Sequence, residues 1–471
     1  MEKLVIAKFG GSASGIDGEF VSDIVSRVKE LRKDSKVIAV FSAPLTIVDG
    51  KRKSLTDLAL HIGKKAEEGI TPDISAIRKS YEKILGSVSD SLKSECQNTI
   101  DSFLEKTLQA FNDAKHDGSF ANEVRSRALA FSGEILMSYV MSYILKSSGL
   151  KADVVSYDIW PIITDNNIES TNFVVSESLN RMGPLEQLLD KNEVISIGGF
   201  IGKTVDGTET TYERGGSDRT AADLGILFHK KYDTRIDFEK DSAVVSADPR
   251  IVTEELDEIL QLSYNEARLA GMFGMKVLDP IAIKEILENG VDMPIIITNM
   301  KDPKKTTMIK RGSDNQNGHP LKIVTGKKNC AILKIESVAA QSLLDSLEKD
   351  KRYSEFVILS PFTKDDIEFT RILFLDADYV KRNERYVLGF DSLAKIQYNR
   401  GVITLIGDQM WRVNQIVSKA SSKIGSTGLN ILNMDAQEET SRVIIVVDDS
   451  ENNIETAIRA VHSERSKITF T

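Results

Sequence analysis

A short apolar run, Leu4 to Ala7, stops at Lys8 and breaks on Gly10 and Gly11 before a helical stretch at 19–33. A strand that ends on a glycine pair and passes into a helix is a βα unit. Further strands are predicted at 36–42 (KVIAVFS), 153–156, 194–197 and 243–246, and helical spacing predicts helices at 182–190, 219–229, 264–273 and 280–288. Alternation on this scale demands an α/β fold, a mostly parallel sheet sandwiched by helices. Between the second and third strands the pattern changes. Over 54–146 apolar residues recur at helical spacing, as in Ile77, Tyr81, Ile84 and Leu85, which predicts a helical subdomain.

The polar segment 300–319 (MKDPKKTTMIKRGSDNQNGH) marks a boundary, so a first domain is expected over 1–305. Beyond it the order of elements becomes βαββαβ, the ferredoxin-like arrangement. Its firmer copy has strands at 401–407, 428–434, 441–447 and 467–470, with helices at 411–424 and 452–463. A fainter copy has strands at 330–335, near 355–359 and at 371–375, with a helix at 338–348. Two such modules are expected, over 320–395 and 396–471.

Bulk properties exclude several classes. The 471 residues are too many for one ordinary core. A net charge of −9 argues against a general nucleic-acid or membrane-surface binder. Cys96 and Cys330 stand far apart, in no metal-ligand spacing, and read as buried thiols of a reducing compartment. The start MEKLVIAKFGG has too short an apolar run for a signal peptide, and no run approaches the roughly 18 apolar residues of a membrane helix. A cytoplasmic protein is expected. The five histidines are scattered, so no protein metal site is expected.

Two segments carry chemistry. Lys8-Phe9-Gly10-Gly11-Ser12 puts a cation and close-approaching backbone N–H groups at a strand end, which suits phosphate; the alternative is an ordinary strand–turn junction. It is not a GxxxxGK[ST] loop. Arg214-Gly215-Gly216-Ser217-Asp218 follows Gly198-Gly199-Phe200-Ile201-Gly202 and opens the helix at 219–229. Here Asp218 is either a helix N-cap or a group that organises a phosphoryl site, with Arg214 clamping a substrate carboxylate.

Taken in order, these motifs resemble the amino-acid kinase family and, within it, the aspartokinases. KFGGS at 8–12 is similar to KFGGTS, FSA at 41–43 to VSA, and Leu55-Thr56-Asp57-Leu58 to VTNxL. Phe131-Ser132-Gly133-Glu134 matches SFGE, Ile163-Thr164-Asp165-Asn166 matches ITDN, and GGFIG at 198–202 matches TGFIG. Residues 214–218 match GRGGSD apart from Glu213 in place of the first glycine. Asp248-Pro249-Arg250, LSYNEA at 262–267 and FGMKVLDP at 273–280 match DPR, LSYxEA and FGAKVLHP.

The resemblance implies transfer of the γ-phosphate of ATP, with Mg²⁺, to the side-chain carboxylate of L-aspartate. This would give 4-phospho-L-aspartate at the head of lysine, threonine and methionine synthesis. It makes Lys8 and Asp218 the catalytic pair. Thr56, Glu134, Arg214 and Ser217 would bind aspartate, Glu134 at its amino group. Lys8, Gly10, Gly11, Ser12, Lys240, Arg250 and Lys276 would face ATP. The C-terminal modules resemble ACT domains, which pair edge to edge, so a homodimer is implied. The segment 321–325 (LKIVT) is implied as a strand swapped between the modules.

Departures cluster on the nucleotide side. Where the family has TDVxGVY, an aspartate has become Lys240, a glycine Ala243 and a tyrosine Val245. HPR has become Asp279-Pro280-Ile281. In the modules GxGM reads Gly407-Asp408-Gln409-Met410, and QGSSExxIS reads Gln437-Glu438-Glu439-Thr440-Ser441-Arg442-Val443. These changes sustain a second reading, a catalytically weak regulatory paralogue that binds effectors and partners another kinase subunit.

Overall fold

The structure is a computed structural model and describes residues 1–213, 215–312, 319–349, 355–437 and 440–468. The chain forms two compact units, Met1–Ala243 with Ile281–Lys310, and Val244–Pro280 with Arg311–Thr471. This division differs from the contiguous 1–305 domain expected above, because residues 244–280 pack with the C-terminal modules.

In the first unit seven strands lie in the order Thr306–Lys310, Ile295–Asn299, Asp233–Lys240, Lys3–Phe9, Lys36–Phe41, Val194–Gly198 and Ala152–Val154. All neighbours are parallel except the first two. The inner strands read as continuous apolar runs because both faces are covered. Leu4, Ile6, Val37, Ile38, Val40 and Ile195 are all fully buried. Helices Leu55–Glu67, Ser75–Leu85, Asp90–Asp117, Asn122–Ser132 and Glu134–Ser147 fill the stretch after the second strand. The sequence reading found no apolar run of membrane length, yet Asn122–Ser147 passes that test on length and composition; 89% of its most apolar stretch is buried within the protein, as in a core helix.

One strand is not where periodicity places it. Residues 243–246 form no strand, contributing only an isolated bridge from Val245 to Glu258. The strand is Asp233–Lys240, whose Arg235, Asp237 and Glu239 alternate as a charged face would on a solvated edge. Here that face is covered. The guanidinium of Arg27 donates to Glu239 Oε1 at 2.6 Å and to Asp237 Oδ2 at 3.1 Å, and Thr298 donates to Asp237 Oδ1 at 2.6 Å. Buried carboxylates tolerate the interior only when paired in this way.

The second unit holds one six-stranded antiparallel sheet in the order Phe356–Lys364, Ile367–Phe374, Ile323–Glu336, Lys395–Ile406, Arg442–Asp448 and Asn433–Ala436. Its two central strands serve both modules. Residues 330–334 pair with 395–400, closing the first module, while 323–327 pair with 402–406, closing the second. The strands bend between these halves, and Asn329 and Asn399 both take positive φ there, 55° each. The final strand expected at 467–470 falls partly outside the described residues. Arg465–Lys467 is a short 3-10 turn, 469–471 lie outside the described residues, and the fourth-strand place is taken by 323–327.

The cores follow the same division. Ala331, Leu333, Leu343, Ile372 and Phe374 belong to one cluster. Leu321, Val324, Ile403, Leu405, Val443 and Ile458 belong to another, joined by Ala247 and Val252 from the segment 244–280. That segment is also pinned by polar contacts. Buried Glu266 caps its own helix through Ser263, accepts from Lys322 Nζ at 2.8 Å, and accepts from the Asp408 N–H at 2.6 Å.

Val324 is fully buried, so Val324→Ala removes packing from the second module although it lies outside that module in sequence. It should destabilise the second unit by about 1–3 kcal/mol and speed hydrogen exchange at 402–406 more than at 370–374. Equal effects on both stretches would show that 323–327 does not belong to the second module.

Candidate active site

Lys8 reaches the site because its strand stops there. Gly10 takes an extended conformation, and its carbonyl accepts from Ala13 N at 3.0 Å and Ser14 N at 3.3 Å, turning the chain into Gly11–Ser14. Gly215, at φ 90°, then turns the chain into the helix Gly216–Phe228, every residue of which is buried. That helix comes close to the neighbouring strand end only because Gly199 lacks a side chain: a Cβ there would sit 2.7 Å from the Cβ of Ser217.

The two strand–turn–helix junctions meet in an ion pair. Lys8 Nζ lies 2.8 Å from Asp218 Oδ1, with both side chains largely shielded from solvent. The N-cap reading of Asp218 does not hold. Gly215 is the N-cap, and Asp218 stands in the first turn, where the helix dipole favours a carboxylate.

A second pair lies in the same cleft. Ser54 caps the helix Leu55–Glu67, accepting from Asp57 N at 3.0 Å, and this presents Thr56 to Glu134. Thr56 Oγ1 donates to Glu134 Oε1 at 3.1 Å. Glu134 opens the helix Glu134–Ser147 after a sharp bend at Gly133, and Tyr81 Oη braces the bend by donating to the carbonyls of Ser132 and Gly133. It is no solvated helix residue. Glu134 is 4% exposed, and its Oε2 is buried without a hydrogen-bond partner. Burial pushes its carboxyl up to about 7, against the lowering effects of Thr56, nearby backbone N–H groups and the charge of Lys8.

A cavity of 730 Å³ is lined by Lys8, Gly11, Ser12, Thr56, Glu134 and Ser217, among others. Six predicted site residues thus share one cleft. Gly10 shapes it through its backbone. Lys240 ends the strand beside Lys8, and its ammonium responds to the charges of Asp218 and Lys8. Arg214 lies outside the described residues. Arg250 and Lys276 belong to the second unit, where Arg250 is exposed and chelates Asp248 and Lys276 is exposed. Their place facing ATP rests on the motif resemblance.

Sequence reading missed several lining groups. Arg125 and Glu169 line the cleft and form an ion pair, and Glu169 also accepts from the Asn122 N–H at 2.6 Å. Tyr212 lines it too, hydrogen-bonded to Asp223 beneath Arg219, which in turn pairs with Glu285. Single charged residues outside any motif gave no signal for these.

The cleft offers an ammonium and backbone donors. Within reach of the same ammonium's charge it offers a buried carboxylate with an acceptor oxygen that has no hydrogen-bond partner. It suits a phosphate and a cation-bearing acceptor side by side. Among the described residues no cluster of three or more His, Cys, Asp or Glu side chains could hold a metal ion. The donors present fit phosphate oxygens, and a metal carried in on a nucleotide needs no such cluster.

Residues 3–299 match the model of the amino acid kinase family. The bifunctional aspartokinase/homoserine dehydrogenase 1, chloroplastic, of Arabidopsis thaliana is 25% identical over 484 residues, covering 97% of this chain and 50% of that protein, so the chain spans about half that relative's length. The aspartokinase of Rickettsia felis is 26% identical over 331 residues, 69% of this chain and 79% of that protein. The fold matches the crystal structure of E. coli aspartokinase III in complex with aspartate and ADP (R-state) with a TM-score of 0.78, at 19% identity, over 98% of this chain and 99% of that one.

The raised carboxyl of Glu134 has a stability consequence. In the unfolded chain it ionises near its ordinary value, while in the folded protein it stays protonated until about pH 7. Stability is therefore lost as pH rises between those values, by up to roughly 3 kcal/mol. Glu134→Gln should melt higher than the parent at about pH 8 and close to it at about pH 4. The same offset at both values would show that the Glu134 carboxyl is not held protonated by burial.

Proposed function

The chain belongs to the amino-acid kinase family, and on that premise we propose that it is an aspartate kinase, moving the γ-phosphate of ATP to the side-chain carboxylate of L-aspartate. The observation that carries this reading is the pairing of Lys8–Asp218 with Thr56–Glu134 in one cleft. It holds a phosphate-binding cation and a buried carboxylate in need of a cation. A zwitterionic amino acid with a second carboxylate spans those two requirements.

Bound Mg-ATP supplies the activated phosphoryl group. The acceptor carboxylate is already ionised at neutral pH, so no base is required. Its oxygen bonds to the γ-phosphorus as the bond to the β-phosphate oxygen breaks, giving 4-phospho-L-aspartate and ADP. The chain's part is positioning and charge neutralisation. Lys8 neutralises the transferring group, and Asp218 keeps its ammonium aimed there. The N–H groups of Gly11 and Ser12, and those opening the helix at Ser217, meet phosphate or acceptor oxygens. Glu134, steadied by Thr56, receives the acceptor's ammonium, and Arg214 takes its α-carboxylate. The product is an acyl phosphate, which fits the opening of lysine, threonine and methionine synthesis.

The six-stranded sheet with its double 2-3-1-4 order supports reading the second unit as two ACT-like modules, and through them a homodimer. Lys240, Asp279 and Ile281 favour the second reading, a regulatory paralogue, because they alter the charge expected around the nucleotide.

Purified protein with Mg-ATP, L-aspartate and hydroxylamine should yield aspartyl hydroxamate, and Arg214→Ala should lower that yield by about 100-fold. No product from folded protein would move the assignment to the regulatory paralogue. Because Glu134 must be ionised to hold the acceptor's ammonium, kcat/KM for aspartate should fall as pH drops below about 7. A flat profile through that range would remove Glu134 from the acceptor site.

A further inference from the structure

The apolar spacing of Ile77, Tyr81, Ile84 and Leu85 predicts a helix, and all four are buried on the helix Ser75–Leu85. One of them carries a polar atom into that interior. Tyr81 is 0% exposed, and a buried hydroxyl must find an acceptor or cost stability. It finds two. Tyr81 Oη lies 3.1 Å from the Ser132 carbonyl oxygen and 3.0 Å from that of Gly133, and shares its one hydrogen between them. Phenylalanine would fill the same space, so packing alone does not account for the hydroxyl.

Those carbonyls belong to the break between the helices Asn122–Ser132 and Glu134–Ser147. Gly133 lets the break approach its neighbours closely: a Cβ there would sit 3.1 Å from the Cβ of Ala43. Just past the break, a Cβ on Gly198 would come within 2.8 Å of the Glu134 carbonyl oxygen. The Glu134 backbone is therefore held by Tyr81 and by two glycine contacts, and its side chain by Thr56, whose Oγ1 donates to Oε1 at 3.1 Å. Its Oε2 is buried and has no hydrogen-bond partner among the described residues, which leaves it for a ligand. The helix Ser75–Leu85 also touches the loop that follows the turn Gly11–Ser14. Lys83 Nζ donates to Asp17 Oδ2 at 2.5 Å, and a Cβ on Gly18 would meet Ile84 Cγ1 at 2.7 Å. One helix thus braces both the segment after Lys8 and the bend before Glu134.

We infer that Tyr81 is a positioning residue for the acceptor: its hydroxyl fixes the bend that aims Glu134 Oε2 at the acceptor's ammonium, and so sets the affinity for the amino acid without touching it. The inference rests on the kinase reading above. Tyr81 does not line the cleft, so its effect passes through Glu134. Burial and the charge of Glu134 push the phenol well above its ordinary value, so the hydroxyl remains a donor at neutral and mildly alkaline pH.

The test uses the full chain in four forms: the parent, Tyr81→Phe, Glu134→Gln and the double variant, each shown folded by its melting curve. L-aspartate is titrated into each by calorimetry, with Mg-ADP present, at about pH 8, where the Glu134 carboxyl is ionised. Tyr81→Phe should weaken aspartate binding about tenfold in the parent, but by less than about twofold once residue 134 is glutamine. In the hydroxamate assay KM for L-aspartate should rise about tenfold while kcat and KM for ATP stay within about twofold, a split that general loosening of the fold would not give. Parent-like aspartate affinity in Tyr81→Phe would overturn the inference. So would a tenfold loss that persists in the Glu134→Gln background. If Glu134→Gln abolishes binding outright, the kinetic split decides, and a KM for ATP that rises as much as that for aspartate overturns the inference. A parent that binds aspartate but makes no hydroxamate sinks the kinase reading, and the binding cycle still decides on Tyr81. A parent that binds no aspartate overturns both.

Discussion

The buried guanidinium of Arg27 is what allows Asp233–Lys240 to be a central strand. Asp237 is 1% exposed and Glu239 1% exposed, between two parallel neighbours. Removing one partner from such a cluster leaves a charge in the interior, at a cost of about 3–5 kcal/mol. Burial raises both carboxyls, to about 8 for Glu239. Arg27 is thus the counter-charge that keeps this strand in the sheet. The consequences run upward. The strand carries Lys240 to its end, lies beside the strand that carries Lys8, and packs under the helix that carries Asp218. The cleft's phosphate end is built on that one clamp.

In the second unit the comparable constraint is backbone pairing. Two long strands bend at Asn329 and Asn399 and so belong to both modules at once. The first module closes on 395–400, the next strand in sequence after its own, but the second does not close on a strand that follows it. The second borrows 323–327, and with them Leu321 and Val324 for its core. Residues 244–280 join the same body through Ala247, Val252 and the Glu266 contacts to Lys322 and Asp408, although their motifs belong by resemblance to the kinase half. Compactness follows these contacts and not the order of motifs along the chain.

How much was legible depends on how local the cause was. Strands such as Lys36–Phe41 and Val194–Gly198 announce themselves because burial on both faces demands continuous apolar runs. The βαββα order of the second module was legible for the same reason. Asp233–Lys240 was hidden, because its charged face has a partner 210 residues away in sequence. The strand that closes the second module was not legible in its place, since the segment that fills it, 323–327, lies before the module in sequence. In the cleft, Lys8, Thr56, Glu134, Ser217 and Asp218 were legible from motifs. Arg125 with Glu169 and Tyr212 with Asp223 were not, since each pair matters only by proximity.

From its sequence alone the chain is committed to a parallel α/β body, a helical insertion and two small βαββαβ-like modules. Local periodicity and glycine placement dictate these through short-range sterics and the need to bury apolar faces. The motif order also commits it to phosphate chemistry. Tertiary structure decided which charges are shared. It turned Glu134 from a helix-surface residue into a buried acceptor and turned Asp218 from a cap into the partner of Lys8. Charge interactions act through space and grow as water is removed, so their partners are known only once the chain has folded around them.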